Sequence, residues 1–196
     1  MSWVRIPPGP LFIRRAVYRT NCGWALGLYT STIIDDEAHC IEVMKGMEAA
    51  FTAKDETYFV QVLKKEPSLV LRVHAVCILA EVGGAKSIPT LSDVLFHDPD
   101  PLVRHEAAFS LGQIGLSAAN EALEKAALSD RDPIVRHESA AALGSIGSPS
   151  AEASLRKVLA DKEAIVSNSA RASLFNIEFL KKYSVGATAR DRAPRP

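Results

Sequence analysis

From residue 55 onward the apolar positions fall on helical spacing. Val103, Ala107, Leu111 and Ile114 stand at i, i+4, i+8 and i+11, one stripe along a helix. The stripe recurs. Leu79, Leu111 and Leu143 are 32 residues apart, as are Arg72, Arg104 and Arg136, and Gly83, Gly115 and Gly147. A second set lies between: Leu91, Leu123 and Leu155, with Val94, Ala126 and Val158. A fourth copy, Val166-Ser167-Asn168-Ser169-Ala170 with Leu174, follows one residue short. Each unit therefore predicts two antiparallel helices. Asp98-Pro99-Asp100-Pro101 and Asp130-Arg131-Asp132-Pro133 form the turns, with Asp to cap and Pro to open the next helix. Gly115 and Gly147 suit left-handed caps at the far ends. One pair cannot bury its apolar faces alone, so the copies must stack. The expected fold is all-α, an α-α superhelix of about four helix pairs over residues 55–180, with 41–53 as an entry helix.

Composition narrows the partners. Lys plus Arg and Asp plus Glu are 23 each, so the formal charge is zero. A general nucleic-acid binder would carry a basic excess. No uncharged apolar run reaches the roughly 18 residues that a membrane span needs. The expectation is therefore no nucleic acid and no membrane. Cys22, Cys40 and Cys77 are too scattered for a disulfide framework or a cysteine zinc site, which fits a reducing cytoplasm.

Three segments follow: 1–43 as an N-terminal extension, 44–183 as the repeat domain and 184–196 as a disordered tail. Residues 1–34 hold no acid but carry Arg5, Arg14, Arg15 and Arg19. Trp3-Val4-Arg5-Ile6-Pro7-Pro8-Gly9-Pro10 is what the T-arm of a transfer-RNA gene ending in CCA encodes when read through. A misplaced start, with Met44 or Met47 as the natural one, explains it. A transit or signal peptide and a structural arm are the alternatives.

The pattern Asp-x-Asp-Pro-x-Val-Arg…Ala…Leu-Gly-x-Ile-Gly resembles HEAT-like repeats of the phycobilisome-lyase type. Within it stand Arg104-His105-Glu106 and Arg136-His137-Glu138. Stacked helices lie about 9–10 Å apart, so His105 and His137 point the same way from neighbouring helices near the concave surface. Two imidazoles with the carboxylates of Glu106 and Glu138 form a donor set for a metal, and two His plus one carboxylate suits non-haem iron. A duplicated, solvent-exposed pair with no role is the alternative.

The run Arg104-His105-Glu106-Ala107-Ala108-Phe109-Ser110-Leu111-Gly112-Gln113-Ile114-Gly115, and its counterpart Val135 to Gly147, resembles one half of deoxyhypusine hydroxylase. Ala85 to Leu91 and Ile177-Glu178-Phe179-Leu180 are similar too. That family is a HEAT-repeat di-iron monooxygenase whose iron pair sits between two symmetric halves. The resemblance implies His105, His137 and Glu138 as ligands of one iron. It implies Glu106 as a further ligand or a catalytic carboxylate facing the substrate amine. Only two of the family's four His-Glu motifs are present, so a homodimer would complete a di-iron site. Asn168 stands where the family tends to place an acid. The alternative function is a metal-free HEAT-repeat scaffold binding a protein partner on its concave face; a third is a partner that handles a chromophore. His74, at the Glu position of its repeat, reads as structural or surface, and Cys77 as a small buried apolar residue.

Overall fold

The computed structural model describes residues 37–183. The extension up to residue 36 and the tail from 184 lie outside the described residues. An entry helix, α1 (Glu37–Ala53), leads into four pairs. They are α2 (Glu56–Lys65) with α3 (Leu69–Gly83), α4 (Ile88–His97) with α5 (Pro101–Ile114), α6 (Asn120–Ser129) with α7 (Pro133–Ile146), and α8 (Glu152–Val158) with α9 (Ala164–Tyr183). The described residues contain no strand. The entry helix starts four residues ahead of the expected 41. The carbonyl of Val43 there accepts a bond from the Tyr58 hydroxyl at 3.1 Å, so the stretch before Met44 touches the stack.

The helix ends follow from the turn residues. Asp100 and Asp132 accept bonds from the amides of Leu102 and Ile134 at 2.8 and 3.0 Å. Each is followed by Pro at the first helical position, where no amide is needed. Gly115 and Gly147 close α5 and α7 with φ of 71° and 69°. Gly83 departs from that pattern: it remains helical, and Gly84 takes the positive φ. Short 3-10 turns at Gly84–Ser87, Ser117–Ala119 and Pro149–Ala151 join the two helices of a repeat to the next pair.

The repeating leucines are the core. Leu79, Leu91, Leu111, Leu123, Leu143 and Leu155 are all buried. Along the stack, α3, α5, α7 and α9 pack on one another far more closely than α4, α6 and α8 do. The second helices therefore form the tighter, inner layer of the curve. Glycine permits part of that closeness. A Cβ on Gly144 would stand 2.8 Å from the Ser173 Cα, and one on Gly112 3.0 Å from the Ala142 Cα.

The repeating arginines staple one repeat to the next. Arg72 pairs with Asp98, Arg104 with Asp130 and Arg136 with Asp161, at 2.9, 2.9 and 2.7 Å. Each guanidinium binds both carboxylate oxygens, and its remaining nitrogen donates to the carbonyls of the turn before its helix. The fork shape of arginine makes that double grip possible.

Candidate metal centre

One residue beyond Arg104 and Arg136, the side chains turn from the turn regions toward the next inner helix. His105 on α5 reaches Glu138 on α7, with Nε2 to Oε2 at 3.3 Å. His137 on α7 reaches Ser169 on α9, with Nδ1 to Oγ at 2.6 Å. Cys77 on α3 donates to Glu106 on α5 at 3.0 Å. The two histidine contacts share an offset: the His position of one repeat meets the Glu position of the following one, while Cys77, further along α3 than that position, joins Glu106 from outside it. The two histidines do not meet each other directly. They converge on Glu138, whose Oε2 also lies 4.0 Å from His137 Nε2.

The His–Glu contacts are largely covered from solvent. His105, Glu106 and Glu138 are each 8% exposed, and His137 is half-buried. Burial without full pairing is costly, and the pairing here is incomplete. His105 Nε2 is buried and has no hydrogen-bond partner, because the 3.3 Å approach of Glu138 lacks hydrogen-bond direction. Two donors held on one metal at about 2.1 Å each stand about 3.0–3.4 Å apart. The His105–Glu138 separation fits that edge better than it fits a hydrogen bond.

Partners fix the ring of His137. The Ser169 hydroxyl donates to the Ile165 carbonyl at 3.0 Å, so it must accept from His137 Nδ1–H. With Nδ1 carrying that proton, Nε2 on the Glu138 side is the nitrogen a metal would take. Glu106 is held differently. Burial raises its carboxyl above the usual range, the Cys77 thiol and His105 lower it, and Glu138 raises it. Cys77 corrects the expectation of a buried apolar residue. It is open to solvent on the inner face, yet ringed by enough protein, and close enough to Glu106, that its thiol is pushed up and stays protonated. His74, at the Glu position of the first copy, is partly buried, and that burial lowers its pKa.

Among the described residues no set of three or more His, Cys, Asp and Glu side chains is already gathered as a metal cage. The donors present are His105, His137 and Glu138 around one carboxylate, with Glu106 beside them. The buried His105 Nε2, without a hydrogen bond and 3.3 Å from a carboxylate oxygen, is compatible with a cation held between them. Two residues in this network, Cys77 and Ser169, carry no motif of their own. Ser169 occupies the Glu position of the fourth copy, so the register does point to it; Cys77 has no such signal.

The match to known proteins follows the same 32-residue architecture. The model of HEAT repeats matches residues 57–143 and 91–174. The structure of human deoxyhypusine hydroxylase in complex with glycerol is similar, at 27% identity and a TM-score of 0.57. The alignment covers 77% of this chain and 50% of that one, so the chain spans half the length of the human enzyme's. No curated protein matches the chain. With the repeat model spanning four stacked pairs capped and stapled in one register, the chain belongs to the HEAT-repeat family.

Proposed function

We propose that this HEAT-repeat protein binds iron through His105, His137 and Glu138, and that it is related in activity to deoxyhypusine hydroxylase. The observation that carries the reading is the buried, unpartnered Nε2 of His105, set against a carboxylate at ligand-to-ligand distance. When bound, iron supplies the activation of oxygen for hydroxylating a protein side chain. The chain's own residues do the rest. Ser169 orients His137 so that Nε2 faces inward. Glu106, whose carboxyl is raised by burial, holds or releases a proton next to the metal set, and the Cys77 thiol keeps that carboxylate in place. Glu106, beside the ligand set, would face a substrate amine.

One chain supplies three clear ligands and Glu106. A second copy with its His–Glu face opposite would bring four His and four Glu around two irons, as a two-fold contact sets the same patch on both partners. A long side chain of a protein substrate would enter between them. Three scattered cysteines, too few for a disulfide framework, fit a cytoplasmic setting. The test is iron content and oxygen-dependent colour of untagged protein purified under reducing conditions. Protein with iron near one atom per chain supports the reading. Protein that never takes iron, yet captures a partner on its inner face unaffected by His105→Ala, supports the metal-free scaffold.

A further inference from the structure

A stacked array needs a polar outer face on its last repeat. The final described inner helix, α9, bears an apolar seam among its exposed residues. Phe175 is 70% exposed, Phe179 48% and Tyr183 62%. Ile165, Asn168, Ala172, Phe175 and Phe179 follow spacings of 3, 4, 3 and 4, all exposed, on the side away from Val166, Ala170, Ser173 and Ile177, which α9 buries. A heptad spacing is the seam along which one helix packs on another. Aromatic rings of this kind carry about 150–250 Å² each, enough in two copies for the apolar centre of a specific contact.

Charge decides what covers the seam. Arg171 and Glu178 border it seven residues apart, and both line the groove between α8 and α9. Seven residues is two turns, so they lie on the same flank. If a second α9 runs antiparallel, Arg171 of each copy meets Glu178 of the other, twice over. A parallel copy would set Arg171 against Asn176 instead, with no opposite charge to answer it. The same antiparallel register places Ala172 opposite Phe175 of the second copy, small against large. In that register Arg171 and Glu178 are offset by two residues, about 3 Å along the axis, within side-chain reach. We infer that the exposed face of α9 is a self-association surface, taking a second copy of this chain antiparallel about a two-fold axis through the seam.

This contact lies at the end of the stack and does not use the His–Glu face, so it stands whether or not iron binds. Sedimentation equilibrium of the full chain with EDTA present tests it. The wild type forms a dimer in chelator. Phe175→Asp abolishes it, with helical content unchanged by circular dichroism. Arg171→Glu and Glu178→Arg each weaken it several-fold, because each copy then offers one sign of charge only. An equimolar mixture of those two variants recovers association, since each supplies the sign the other lacks. A wild-type monomer in chelator overturns the inference. So does a dimer indifferent to Phe175→Asp, or a mixture no tighter than its separate components. A dimer that forms only with iron overturns it too, by moving the contact to the His–Glu face.

Discussion

Arg104 and His105 are neighbours on one helix, both buried, at 2% and 8% exposure, and they serve opposite ends. The arginine grips both oxygens of Asp130 and two turn carbonyls. The histidine has a buried nitrogen with no hydrogen-bond partner. The same contrast separates Arg136 from His137 and Glu138. The arginine row runs through three repeats with every charge answered. The His–Glu row is confined to two repeats and stays incomplete. A satisfied buried network stiffens the stack, whereas an incomplete one carries the cost of a polar group left unpaired.

Breaking the arginine row has the largest effect. Arg104→Ala leaves Asp130 buried and unpaired, and is expected to cost about 3–5 kcal/mol, or roughly 10 °C in Tm. Thermal unfolding by circular dichroism reads it. Cutting the other row is milder. In chelator, His105→Ala is expected to cost at most about 1–2 kcal/mol, because the imidazole loses packing but no hydrogen bond. If His105→Ala matches Arg104→Ala in its effect, the distinction between the rows collapses.

Acid and base separate the rows by sign. Hydrogen bonds from Arg136 hold the Asp161 carboxyl below its usual 3.8. That contribution is present above the unfolded value and is lost as pH falls through the lower folded one. Glu106 is raised above its usual 4.5 by burial. The folded state then holds that proton more tightly, so stability falls as pH rises through the raised value. Tm against pH for the metal-free protein should therefore lose its decline above the unfolded value of 4.5 in Glu106→Gln. Asp161→Asn should flatten the fall below about pH 4 instead. The smallest effect belongs to the surface. Lys181 pairs with Glu152 at the edge of α9, in solvent, and Lys181→Ala should leave Tm unchanged within error.

The 32-residue register made most of the fold legible before any coordinates. It located the turns, the caps at Gly115 and Gly147, and the leucine core, because each is a local demand on a residue type. The partner of each charged residue was harder to read. Arg136 reaches Asp161, 25 residues on, and His105 reaches Glu138 in the next repeat, 33 on. Such pairings depend on the stagger between helices, which spacing along one helix does not contain. Spacing alone therefore brought His105 and His137 together, when each in fact looks to the helix after its own. The Cys77–Glu106 contact had no signal either, since a cysteine between Val76 and Ile78 reads as apolar until α5 is set beside it.

The central claim is that the incomplete row is a metal site, and Fe(II) under anaerobic conditions tests it most directly. A ligand at about 100 times its Kd stabilises a fold by about 2.7 kcal/mol, or roughly 5–10 °C here. Saturating Fe(II) should raise the Tm of the wild type by that amount and leave His105→Ala and His137→Ala unmoved. Equal shifts in all three proteins, or no shift in the wild type, would contradict the assignment of His105, His137 and Glu138 as ligands.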